Sequence, residues 1–288
     1  MVVSGGRKLQ SGLRGQPLVA TSWIIGAAAS MSRVSLSSAS LAGAIFKYNK
    51  AMQPTRGSSA SQVRSHSYRS TTTFAVLVSG GLDSAILLGE ALRDHAAVYP
   101  LYVRNGLYWE RAELHHLERF LAAVSSPALQ PLQVFDLPVA DLYGEHWSIT
   151  GQDVPDAHSP DEAVFLPGRN VLLLTKAMLW CHLHEVPDVA LGTLESNPFS
   201  DAAPAFFSSY ERVVNQAVGG AVQVRLPYAG LSKTEVMVRG RELPLEFTFS
   251  CLHPVAYQHC GGCNKCNERR QAFAKVGMED KTKYDSKQ

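Results

Sequence analysis

From residue 74 onward the apolar positions follow two alternating rhythms. Short, nearly continuous apolar runs have the length and β-branched content of buried strands: "FAVLV" (74–78), "AVYPLYV" (97–103), "LQVFDL" (132–137), "DVALG" (188–192) and "VQVRLP" (222–227). Between them, apolar residues recur every three or four positions, which predicts helices. These are "SAILLGEALRDH" (84–95), "WERAELHHLERFLAAV" (109–124), "RNVLLLTKAMLWCHLHEV" (169–186), "AFFSSYERVVNQAV" (205–218) and "SKTEVMVRGREL" (232–243). The last opens with Ser232 and carries Glu235 three residues on, a capping box. The polar stretch 141–167 predicts a loop. Strands alternating with helices predict an α/β fold, a parallel sheet with helices on both faces. Ligands of such sheets lie beyond the carboxyl ends of the strands. That rule singles out "SGGLDS" (79–84) and "LGTLESN" (191–197).

Charge changes the picture at the N-terminal end. Residues 1–72 hold nine Lys or Arg and no acid, since Asp83 is the first acidic residue of the 288. This Ser-, Ala-, Gly- and Arg-rich stretch is read as a disordered or spurious leader, with Met31 and Met52 as alternative starts; an organelle transit peptide is the competing reading. Its one apolar run, "LVATSWIIGAAA", is too short to span a bilayer. From residue 73 onward 18 basic residues face 25 acidic ones, so a broad nucleic-acid surface is not expected. No membrane association is expected either.

"SGGLDS" leaves a strand and enters a helix through two glycines. Gly80 and Gly81 permit positive φ and remove the Cβ atoms that would keep a ligand away. The helix start adds unpaired N–H groups and a positive dipole end. Ser79, Gly80, Gly81, Leu82, Asp83 and Ser84 therefore form a candidate nest for a phosphate chain. The Walker lysine pattern is absent. Asp83 cannot bind phosphate itself; it either holds Mg²⁺ beside the phosphates or fixes the loop by accepting backbone N–H bonds.

Four of the five cysteines crowd into sixteen residues, Cys251, Cys260, Cys263 and Cys266, with spacing C-x8-C-x2-C-x2-C. Four thiolates surround Zn²⁺ tetrahedrally and leave no open position, so the metal is read as structural. A redox C-x2-C is the rival. His253 and His259 are expected on the surface, and Cys181 in the core. Clustering of this kind points to a reducing, cytoplasmic location. The divisions expected are a leader (1–72), a nucleotide-binding domain (73–245) and a small zinc-binding subdomain (246–288).

"SGGLDS" resembles the S-G-G-x-D-S pyrophosphate loop of the PP-loop, or N-type, ATPases. That resemblance implies an adenine nucleotide alpha hydrolase-like, Rossmann-like fold, ATP split between the α and β phosphates, AMP transfer to a substrate oxygen, and Mg²⁺. The order of "LPGRN" (166–170), "LSKTEV" (231–236), "FSC" (249–251) and "CGGCNKCNERRQAF" is similar to that of the 7-cyano-7-deazaguanine synthase family, QueC, over about residues 74–275. What this implies is ATP-dependent conversion of 7-carboxy-7-deazaguanine and ammonia to the nitrile, and a homodimer. Carried onto this chain, Lys233 reaches the phosphates or is a solvated helix-start lysine. Arg169 clamps a phosphate or the substrate carboxylate, or pairs with Asp161 or Glu162. Gly168 and Asn170 form the turn and cap of their helix, and Asn170 lies at the substrate. Asp201 either binds a guanine-like edge or caps the helix that follows it. Two strings depart from the family pattern. "VRNGLYWE" keeps only the glycine of a D-Y-G-Q-like string, and "FSDAAPAFF" has Ala203 where the family has Arg. The alternative is therefore a QueC-like ATPase that adenylates a different carboxylate and stops at an amide.

Overall fold

A computed structural model describes residues 70–285. The leader, with its alternative starts, lies outside the described residues apart from its last three, Ser70–Thr72, which open the first strand. Five strands, β1 (Ser70–Leu77), β2 (His95–Arg104), β3 (Gln133–Asp136), β4 (Asp188–Ala190) and β5 (Gln223–Arg225), form one sheet in the order β3-β2-β1-β4-β5. Every pairing is parallel. The order reverses between β1 and β4, and a crevice opens beyond their carboxyl ends.

The alternation of β1 divides the core. Phe74 and Val76 face one side of the sheet, where they meet helices α1 (Leu82–Asp94), α2 (Glu110–Ala123), α7 (Lys233–Arg239) and α8 (Asn264–Lys275). Ala75 and Leu77 face the other side, against α5 (Arg169–Leu183) and α6 (Pro204–Val218). Cys181 lies in this second layer, and burial pushes its thiol up to about 12, which makes it an inert core residue. Ala272 and Phe273 of α8 share the first layer with β1 and α1, so the C-terminal segment packs into the core of the sheet.

Two expectations shift. The stretch 141–167 is not a plain loop: it contains α3 (Ala140–Tyr143), α4 (Trp147–Thr150) and a 3₁₀ turn over Asp161–Val164. Turns of three or four residues are too short to register as a helical period. Helix α1 starts at Leu82, two residues before the apolar rhythm begins, which places Asp83 in its first turn where a negative charge suits the dipole. The Ser232–Glu235 capping box forms in both directions. Among the described residues no helix is long and apolar enough to cross a membrane.

Candidate active site

The loop after β1 is built from its glycines. Gly80 has φ +71°, and a Cβ there would lie 3.2 Å from both the Cγ and the carbonyl oxygen of Glu113 on α2. Only glycine lets the loop lie against that helix. Ser84 Oγ accepts the Ser79 N–H at 3.2 Å and donates to the Gly81 carbonyl at 3.2 Å, closing the loop on itself. Gly81 caps α1 without a side-chain bond. Among the described residues no protein acceptor meets the N–H groups of Gly80, Gly81, Leu82, Asp83 or Ser84. These amides are what a bound phosphate needs. Thr193, after β4, adds a buried hydroxyl without a partner beside the adjoining cavity.

Gly192 lets β4 end directly against this loop. A Cβ there would sit 3.1 Å from the Asp83 carbonyl carbon, so the backbone must give by a few tenths of an ångström. Gly192→Ala is expected to displace the loop amides and weaken any phosphate binding they support about tenfold, because small displacements of binding groups are costly. Calorimetric titration with an ATP analogue checks this, and unchanged affinity would contradict the close approach.

Asp83 does not fix the loop by accepting backbone N–H bonds. Both of its carboxylate oxygens accept from Lys233 Nζ at 2.9 Å. Lys233 also lies 3.5 Å from Glu268, which Lys265 holds at 2.6 Å. Burial by itself would pull the Lys233 pKa down, but Asp83 and Glu268 more than offset it and raise it. The Glu268 carboxyl is held low against its own burial by Lys233 and Lys265. Lys233 is therefore a fixed cation and not a solvated lysine. Arg169 has no carboxylate partner among the described residues, so the expected pairing with Asp161 or Glu162 does not occur. Its guanidinium stands 6.0 Å over the Trp109 ring and lines the same cavity as Ser79, Asp83 and Lys233, about 340 Å³ in volume.

Asn170 and Asp201 bind one another. Asp201 Oδ2 accepts the Asn170 backbone N–H at 3.0 Å, and the Asn170 side chain donates to the Asp201 carbonyl at 2.9 Å. Gly168 is the cap residue of α5, with Asn170 inside its first turn, and Asp201 caps α5 and not the helix that follows it. This is a correction to the cap assignments, and it commits one oxygen of Asp201 to the protein. Both residues still line the cavity.

Sequence reasoning missed most of the cavity wall. Trp109 and Trp147 stack at 5.7 Å, and Phe165 and Phe199 stack at 4.9 Å. All four line the cavity and offer flat apolar faces. Glu113 was missed too, although it stands on the buried face of α2 between Ala112 and His116, a charge on an apolar stripe.

The four cysteine sulfurs lie within 4.8 Å of one another. Cys251–Cys263 is 3.9 Å and Cys260–Cys266 is 4.0 Å, close to the separation of about 3.8 Å that tetrahedral zinc–sulfur bonds of about 2.3 Å impose. The N–H groups of Leu252, His253, Cys260 and Gly262 donate to these sulfurs at 3.2–3.4 Å and suit the thiolate form. The set fits one tetrahedral ion. Cys251 also lines the cavity, and just before it Phe249 N–H donates to the Gly80 carbonyl at 2.7 Å, joining the cysteine knuckle to the loop. His253 is exposed as expected, but His259 is buried. His259 accepts the Ser250 N–H and packs on Phe249, and burial lowers its pKa to about 2, so it is a neutral wedge.

Residues 73–277 match the family model described as queuosine biosynthesis protein QueC. A 7-cyano-7-deazaguanine synthase of Syntrophobacter fumaroxidans is 31% identical over 229 residues, covering 73% of this chain and 94% of that one. The enzyme of the same name from Stutzerimonas stutzeri is 30% identical over 220 residues, covering 73% and 96%. A solved 4-thiouridine synthetase–RNA complex with bound ATP aligns at TM-score 0.40 and 17% identity, covering 72% of this chain and 51% of that one.

Proposed function

The chain belongs to the QueC family of queuosine biosynthesis proteins, and from that premise we propose that it converts 7-carboxy-7-deazaguanine and ammonia to 7-cyano-7-deazaguanine at the expense of ATP. The observation that carries this is the convergence on one cavity of free loop amides, two cations and an aromatic wall. A carboxylate is a poor electrophile until its oxygen carries a good leaving group. The amides of Gly80 through Ser84 hold the phosphate chain, each bond to a charged oxygen contributing about 1.5–3 kcal/mol. Lys233, fixed by Asp83, and Arg169, unpaired, neutralise the charge that develops as pyrophosphate leaves. Trp109 and Trp147 present faces on which a planar bicyclic acid stacks.

Mg²⁺ beside Asp83 would screen the phosphates, and zinc in the four thiolates would hold the wall that contains Phe249 and Cys251. The proposed sequence has four steps. The acid oxygen takes AMP and releases pyrophosphate. Ammonia displaces AMP to give the amide. A second AMP transfer activates the amide oxygen, and its departure leaves the nitrile. Ala203, two residues beyond the cavity-lining Asp201, stands where the family pattern has Arg, which favours the second reading, a different carboxylate taken only to its amide. Turnover with 7-carboxy-7-deazaguanine, ammonia and ATP separates the two. Nitrile with two AMP formed per acid is expected. ATP turnover on another acid, with no nitrile, would replace the first reading by the second. Homodimer formation and a cytoplasmic location complete the proposal, and light scattering of the purified chain tests the first of these.

A further inference from the structure

Among the described residues, Glu113 is the one cavity-facing carboxylate that neither an ion pair nor a helix end holds in place. It is 8% exposed, and its Oε1 accepts the Tyr102 hydroxyl at 2.8 Å. Its Cγ lies directly behind Gly80, and its side chain borders both the main cavity and the smaller one between β1 and β4. Lys233 lines the same main cavity but is an ammonium already held by Asp83 and Glu268, so it is not available to take a proton. Burying a carboxyl at such a place is costly, and no ion pair repays it.

We propose that Glu113 is the proton acceptor for the incoming nitrogen. The assignment rests on the adenylation reading above. In the first half, the nitrogen lone pair forms the new C–N bond, the C–O bond to phosphate breaks and AMP leaves with that electron pair. One N–H proton passes to the Glu113 carboxylate and from there to water in the open cavity. In the second half, the amide oxygen departs on AMP while the nitrogen gives up its two remaining protons by the same route. No oxidant or reductant is needed.

The surroundings suit the task. Burial raises the Glu113 carboxyl to about 7, against the lowering influence of Arg169 from α5 and the Tyr102 hydroxyl from β2, with Glu110 on its own helix adding to the rise and Trp109 opposing it. A group that titrates near the working pH both takes and releases protons readily.

Glu113→Gln tests this in the full-length protein with two assays. Acid-dependent exchange of pyrophosphate into ATP reports adenylation alone. Nitrogen-dependent release of AMP reports the later step. Exchange is expected to survive within a few-fold, while the nitrogen-dependent rate falls about 10²- to 10⁴-fold. At a fixed concentration of unprotonated ammonia, the wild-type rate should rise as pH climbs through about 7, and the variant should lack that limb. Tyr102→Phe keeps the acid but removes a bond that favours its ionised form, so its limb should move to higher pH; it carries the test if the first variant does not fold. Loss of exchange together with turnover in Glu113→Gln would make Glu113 a support for the loop and overturn the proposal. An unmoved limb in Tyr102→Phe would overturn it as well. Absence of exchange in the unaltered protein would instead remove the adenylation reading, and the proposal with it.

Discussion

Replacing Asp83 with Asn is expected to lower ATP-dependent turnover by about 10²- to 10³-fold in a protein that still folds. Asp83 grips Lys233 with both oxygens at 2.9 Å, and the second carboxylate, Glu268, stands at 3.5 Å. An amide presents one acceptor and no charge, so the ammonium swings toward Glu268 and away from the loop. A misplacement of about 1 Å in a charge-stabilising group is enough to cost about 10²-fold. The loss of the carboxylate that would hold Mg²⁺ beside the phosphates adds to this. The two side chains are 21% and 25% exposed, so solvent already screens the pair. The stability cost is therefore expected near 1 kcal/mol, a fall of about 2–4 °C in Tm for a domain of this size. AMP release and thermal melting check the two halves separately. Turnover at the wild-type rate would remove the assignment of the loop.

The second large effect is expected from Cys263→Ser. Zinc per chain should fall from near one to near zero, and Tm should fall by more than about 15 °C, with much of the protein insoluble. Structural zinc in four thiolates contributes about 10–16 kcal/mol of apparent binding free energy, comparable to the whole stability of a domain, about 5–15 kcal/mol. The segment that carries the cysteines packs against the sheet. Phe249 bonds the loop, Arg269 is buried and bonded to Thr248 Oγ1 at 2.8 Å and to the Leu245 carbonyl at 2.8 Å, and Ala272 and Phe273 fill the core. Its release opens the sheet layer beside α1. Metal analysis and melting of the purified variant settle the point. A variant with full zinc and an unchanged melting curve would contradict the ligand set.

What could be read from the chain was local. "SGGLDS" declares itself because glycine conformation and a helix start are properties of neighbouring residues. The cysteines declare themselves by spacing, and Ser232 with Glu235 by their separation of three. What could not be read depends on residues far apart. Asp83 and Lys233 are 150 positions apart, and nothing in either segment fixes the pairing. Asp201 caps a helix that begins 32 residues earlier, a geometry that a local cap pattern does not anticipate. His259 looked like a surface residue beside the thiolates, yet Phe249, His116 and Tyr284 enclose it. The four aromatic residues of the wall are far apart in the chain, and two of them, Trp147 and Phe165, lie in the region read as a plain loop. Glu113 did leave a trace, a charge on the apolar stripe of α2, and that kind of violation is where function is most often found.

The bond from Phe249 N–H to the Gly80 carbonyl sets an order of events during synthesis. All five strands leave the ribosome before residue 249 does, so the sheet can assemble while the loop at Gly80 still lacks its last support. A nascent chain paused in that interval, or one cut short by a premature stop, presents a finished sheet with an unfinished pocket. The loop proposed for the phosphates is thereby completed only in polypeptides in which Phe249 has been made and has docked.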